Sequence, residues 1–187
     1  MDSLQQINDE LVRFRAWVDE AKDLHADIDE TLPEAAKEWL RLAYAIDAKV
    51  VPREMATAHS LNKWLHLRED VLASHDLRIS VSKVDVCGQV DACGHTVRAR
   101  SSEFVMRVDG ETCSLCQQYQ PRAFVEGGCD ACPIVQMRGR VCSYSEHRRS
   151  EWASWVTDVN PEPMIALLKE TLLWELKQRK TDEATSE

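Results

Sequence analysis

The residues able to do chemistry in this 187-residue chain are its cysteines, seven in all and confined to the stretch from Cys87 to Cys142. Four of them form two C-x2-C pairs, Cys113-Ser-Leu-Cys116 and Cys129-Asp-Ala-Cys132, with twelve residues between. In such a pair a tight backbone turn aims both thiols at one point. Two turns brought together set four sulfurs at the corners of a tetrahedron, the arrangement zinc takes with Zn–S bonds of about 2.3 Å. Gly127-Gly128 gives the approach to the second pair backbone freedom, and Pro133 restricts its exit. The spacing predicts Zn2+ on Cys113, Cys116, Cys129 and one or both of Cys132 and Cys142.

Two other fates for paired thiols fit less well. A disulfide framework belongs to secreted chains, and the opening MDSLQQINDELVRF has neither the basic start nor the apolar run of a secretory signal. A thioredoxin-like redox pair needs a βαβ setting, which neither pair has. Upstream, Cys87, Cys93 and His95 form C-x5-C-G-H, so a two-metal version is the alternative. In it Cys87, Cys93 or His95 joins the first pair, while Cys142 or His147 joins the second. Against it, Cys87 and Cys93 suit a small core, because a free cysteine packs as a small hydrophobe. His25, His59, His66 and His75 have no cysteine neighbours and read as ordinary helix residues.

The elements that must position these thiols are legible from periodicity. Leu4, Ile7, Leu11, Phe14, Val18, Ala21 and Ile28 step by threes and fours, with His25 in the gap, and predict a first helix with a coiled-coil-like apolar stripe. Ser3 with Gln6, and Thr31 with Glu34, predict capping boxes at the starts of the first and second helices. The second stripe is Leu32, Ala36, Trp39, Ala43, Ile46 and Val50, ended by Pro52. A third runs Ala58, Leu61, Leu65, Arg68 and Leu72, with Trp64 beside it. At residue 77 the period changes to two: Leu77, Ile79 and Val81 predict a strand, and Glu103–Val108 a second, followed by the turn signal Asp109-Gly110. Asn160-Pro161 predicts the start of a last helix whose Leu168, Leu172 and Leu176 share a face. The expected fold class is α+β: antiparallel N-terminal helices over 1–76, a β-rich zinc-binding module over 77–150, C-terminal helices over 151–180 and a polar tail over 181–187.

Composition narrows the function. Hydrophobic residues make up 44% of the chain, a globular share, and no apolar run approaches the ~18 residues that cross a bilayer. The formal charge of -9 is the sum of -6 over residues 1–80, zero over 81–110, +1 over 111–150 and -4 over 151–187. A net acidic field opposes coating of nucleic acid. A local patch is still available from Arg122, Arg138, Arg140, Arg148 and Arg149 around the cysteines, which keeps a nucleic-acid-binding zinc ribbon as the alternative function.

The stretch from Cys113 to about Trp152 resembles a group of small, uncharacterised bacteriophage and prophage proteins. The resemblance is carried by Cys113-Ser-Leu-Cys116, Tyr119, Gly128-Cys129-Asp-Ala-Cys132-Pro133-Ile134, Gly139 and Cys142. Where members of that group continue into Thr-Pro-Tyr, this chain has Ser143-Tyr144-Ser145. The resemblance implies a mobile-element origin and a zinc-binding fold, and it implies no activity.

Four thiolates would leave zinc no open position for water or substrate, so the metal is expected to be structural. The chain has no H-x-E with P-C-x-x-C, no H-E-x-x-H, no Walker loop and no G-x-S-x-G, and no catalytic residue is assigned. The leading expectation is a non-enzymatic, cytoplasmic binding protein, in the host cytoplasm if phage-encoded. It would act on a host protein such as a transcription or defence component, with no membrane association. Trp17, Trp39 and Trp64 are adjacent to further apolar residues and are the candidate contacts, either to that partner or in a homodimer of the helical arms.

Overall fold

A computed structural model describes residues 2–81, 95–119, 129–142 and 150–185. The fold is α+β: among the described residues there are helices α1 (Ser3–Glu20), α2 (Glu34–Ala43), α3 (Ala56–Leu65), α4 (Glu69–Ser74), α5 (Ser114–Tyr119), α6 (Pro133–Arg138), α7 (Glu151–Asp158) and α8 (Glu162–Thr185), and strands β1 (Leu77–Ser80), β2 (His95–Ala99) and β3 (Phe104–Val108). The strands form one antiparallel sheet in the order β1-β2-β3.

The first apolar stripe buries Ile7, Leu11 and Phe14, but α1 is shorter than its periodicity suggests. It ends at Glu20, where His25 donates from Nε2 to the Val18 carbonyl (2.9 Å) and pairs across a short bridge with Ile46. Neither expected capping box forms. Asp2, not Ser3, accepts from the Leu4 N–H, and Asp29 takes both the N–H (2.8 Å) and the hydroxyl (2.6 Å) of Thr31. α2 therefore starts after Pro33, and it stops at Ala43, well before Pro52. Leu32, Ala36, Trp39, Ala43 and Ile46 of its stripe are buried, whereas Val50 is exposed.

α3 is the centre of the molecule. Every residue from Ala56 to Trp64 is buried, because α1, α2, α5 and α8 pack around it. The sheet adds Leu77, Val97, Ala99, Met106 and Val108 to the same apolar core. A β-bulge after Val97 shifts the register, so Val105 and Met106 are both buried and Phe104 is turned outward. One apolar cluster runs unbroken from Ile7 and Trp39 through Trp64, Val97, Leu115 and Ile134 to Trp155 and Leu172. The core thus continues across residue 76 into the cysteine segment.

The burial pattern corrects the expected partner contacts. Trp39 is 0% exposed and donates from Nε1 to the His66 carbonyl (2.9 Å). Trp64 is 1% exposed and meets Trp155 and Trp152 edge-on, with centroids 5.0 and 6.2 Å away. Intramolecular packing uses up both side chains, so neither can serve a partner or a second copy. Trp17 is half-buried against Phe14. No described helix is long and apolar enough to cross a membrane.

Candidate metal centre

The first C-x2-C pair is set by a turn the sequence encodes locally. Asp109 Oδ1 accepts from the Glu111 N–H (2.9 Å) and the Thr112 N–H (3.3 Å), and the Cys113 N–H donates to the Gly110 carbonyl (3.2 Å). This aspartate-led turn closes β3 and opens α5, so that Cys113 and Cys116 line the same cavity. The second pair is closed by the Cys132 N–H donating to the Cys129 carbonyl (2.8 Å). Pro133 then occupies the first turn of α6, where its missing N–H costs nothing. α6 lasts six residues and ends at Gly139, whose φ of 72° is a left-handed helix cap that favours glycine. That turn sends the chain back, three residues later, to Cys142.

These three segments converge. Cys113, Cys116, Cys129, Cys132 and Cys142 all line one cavity of about 30 Å³, walled by Trp64, Leu115, Ile134, Met164 and Leu168. No disulfide joins any two of the five. The volume accommodates an ion or a water and no organic substrate. Among the described residues no three His, Cys, Asp or Glu side chains form a metal-holding group, so the sulfurs face a common space without closing into a shell. The donor set itself suits zinc: it is all sulfur, and an apolar wall backs it.

Electrostatics distinguish the thiols. A hydrogen bond from the Cys116 thiol holds Cys113 well below the usual thiol range, with help from Lys63 and the Ser60 hydroxyl, and the same bond raises Cys116. Burial pushes Cys132 up to about 12 and raises Cys142 as well.

Behind the first pair lies a polar layer contributed by α3 that the sequence did not announce. Lys63, 1% exposed, donates from Nζ to the carbonyl (2.5 Å) and hydroxyl (3.2 Å) of Thr112. Burial lowers the pKa of this ammonium, while Cys113, Cys116 and Asp109 pull it back up. Ser60 Oγ lies 3.7 Å from Cys113 Sγ and 2.9 Å from Ser114 Oγ. The Ser114 hydroxyl sits between the Ala56 carbonyl (2.7 Å) and His59 Nδ1 (3.0 Å). His59 Nε2 donates to the Ile46 carbonyl (3.1 Å), and burial pushes its pKa down to about 3. His59 is thus a neutral structural link between the helices and the cysteine turn. The one signal available in the sequence was the run of polar residues Thr57, His59, Ser60, Asn62 and Lys63 interleaved with the apolar positions of α3.

The remaining candidates are dispersed. His95 is buried and donates from Nε2 to the Trp155 carbonyl (3.0 Å), away from the five-cysteine cavity lining. Cys87, Cys93 and His147, named for a second metal, lie outside the described residues, as do Arg122, Arg148 and Arg149. Arg138 is turned inward, paired with Glu151 (2.6 Å) and Glu170. Arg140 is half-exposed, 3.6 Å from Glu151. These ion pairs neutralise Arg138 within the fold and argue against its use on phosphate.

Comparison with protein families, with characterised proteins and with solved structures returns no match to this chain.

Proposed function

We propose that the protein is a non-enzymatic binding protein whose fold is locked by one structural zinc held by four of Cys113, Cys116, Cys129, Cys132 and Cys142. The observation that carries this reading is the meeting of all five thiols, from three chain segments, at one small cavity backed by the main core. Zinc there would tie α5 and α6 to α3 and α8 and supply folding energy to short elements that have little of their own. The all-thiol donor set and the apolar wall behind it support a closed site, because catalytic zinc keeps a position open to water. The net charge of -9 favours a protein partner with a basic surface over nucleic acid. The phage resemblance of the cysteine pattern supports a host protein as that partner.

Purified chain is expected to contain one zinc, and Cys113→Ser and Cys129→Ser to lose both the metal and cooperative unfolding. A pull-down from nuclease-treated host lysate should retain the same specific protein with zinc-loaded bait and lose it after chelation. Capture that disappears with nuclease would favour a nucleic-acid-binding zinc ribbon instead.

A further inference from the structure

The two C-x2-C pairs supply four sulfurs, as many as a tetrahedral zinc takes, yet five thiols line the cavity. The pairs are alike. Each is drawn together by its own turn, closed from the Cys113 N–H to the Gly110 carbonyl and from the Cys132 N–H to the Cys129 carbonyl. Cys142 belongs to neither turn. It follows α6 and the Gly139 cap, and it has no C-x2-C mate of its own, because position 139 is Gly139 and position 145 is Ser145. With the pairs on zinc, Cys142 is the fifth thiol.

Its position is close to all four. Cys142 lines the same cavity of about 30 Å³ and lies within electrostatic reach of Cys113, Cys132 and Cys129, as it does of Cys116. All five are free thiols, and none of the five residues is fully buried, so a small solute can approach the cluster from outside. The cavity takes a water or a molecule little larger, which is the size of hydrogen peroxide.

Zinc ligation itself makes a cysteine a thiolate, the form that peroxides attack. A sulfenic acid formed there survives only until a second thiol reaches it. The other ligands are tied to the metal, whereas Cys142 is a thiol at the same cavity with no place in the shell.

We propose that Cys142 is a reversible oxidation site, the resolving thiol that closes a disulfide with a zinc-ligand cysteine after hydrogen peroxide has oxidised it, and so releases the metal. This inference rests on the zinc reading. In the first step a ligand thiolate attacks one oxygen of the peroxide, the O–O bond breaks, and the other oxygen leaves as hydroxide. The sulfur becomes a sulfenic acid, oxidised by two electrons as the peroxide is reduced by two. In the second step the Cys142 thiol attacks the sulfenic sulfur. An S–S bond forms, and the thiol proton leaves with the sulfenic oxygen as water. The site is left with three thiolates, so zinc is lost and α5 and α6 are untied from α3 and α8. A reductant restores both thiols and lets the metal rebind.

The test treats the zinc-loaded full chain with hydrogen peroxide and follows a chromophoric zinc indicator, thiol titration and disulfide mapping by mass spectrometry. Zinc should leave as free thiols fall by two from seven, with a disulfide joining Cys142 to one of Cys113, Cys116, Cys129 and Cys132. A phosphine reductant and added zinc should restore the starting state. Cys142→Ser should hold zinc as the native chain does, yet fail to regain it after peroxide, because an unresolved sulfenic acid goes on to sulfinic acid. The disulfide map of the native chain stands whether or not that variant folds. A map without Cys142, such as Cys87 joined to Cys93, would overturn the proposal. So would zinc retained through peroxide, loss of zinc from untreated, folded Cys142→Ser, or full recovery by that variant. Zinc absent before peroxide is added would end the zinc reading as well, whereas zinc present with no Cys142 disulfide after treatment would end this inference alone.

Discussion

Lys63 offers the sharpest test of how the helices serve the cysteine centre. Lys63→Met keeps the length of the side chain and removes its charge and both hydrogen bonds to Thr112. Two effects then compete. In the metal-free protein, the loss of a charged hydrogen bond, worth about 1.5–3 kcal/mol, is opposed by relief from burying an ammonium that is 1% exposed. The net change in metal-free stability should therefore stay within about 1 kcal/mol. In the zinc form nothing offsets the loss. Four thiolates on one zinc carry a formal charge of -2, and Lys63 is a buried cation whose charge acts on Cys113 and Cys116. Its removal should weaken zinc by about 10–100-fold, the usual cost of deleting a group that supports metal ligands. The assay is competition with a chromophoric chelator at fixed pH, alongside urea unfolding with and without metal. Unchanged zinc affinity together with a metal-free destabilisation of several kcal/mol would refute the argument, because Lys63 would then be holding Thr112 and nothing more.

Other consequences can be checked separately. His59, depressed to about 3 in the folded state against roughly 6.5 unfolded, should make stability fall as pH drops below about 6.5, by up to about 1.4 kcal/mol per pH unit. The sign follows because the unfolded chain takes up the proton first; His59→Gln should remove about one proton's worth of that slope, and an unchanged slope would place the acid sensitivity elsewhere. Trp64→Ala, at a site 1% exposed between Trp152 and Trp155, should cost about 3–5 kcal/mol in urea unfolding, and a loss below about 1 kcal/mol would contradict the central place given to α3. A fragment of residues 1–76 should show much less helical circular dichroism than those residues contribute in the intact chain, because α3 loses α5 and α8; full helicity would show that the arm stands alone.

What the sequence made legible, and what it hid, follows the range of the interactions. The apolar positions of α1 and α2 were readable because burial imposes helical periodicity on Ile7, Leu11, Phe14, Ala36 and Trp39. The helix ends were not, since they were decided by nonlocal or competing partners: His25 reaching Val18, and Asp29 outbidding Glu34 for Thr31. β1 followed its period of two in Leu77 and Ile79, whereas β3 broke it at the bulge that buries Val105 and Met106 together, and β2, His95–Ala99, is a five-residue strand defined by its pairing on both edges. The spacing of the cysteines singled out the five thiols that share the cavity. Lys63 was hidden because a lysine on a helix is ordinarily solvated, and only the packing of α3 against α5 buries it. Trp39 and Trp64 pointed to an interface for the opposite reason: apolar width beyond a hairpin's needs was there to receive α7, α8 and the loop after α3.

Whether the converging thiols hold a structural zinc is read most directly by X-ray absorption at the zinc edge of the purified chain. One zinc per chain is expected, with four sulfur neighbours at about 2.3 Å and no open position. A fully folded, metal-free chain, or a zinc bound mainly through nitrogen and oxygen, would contradict it.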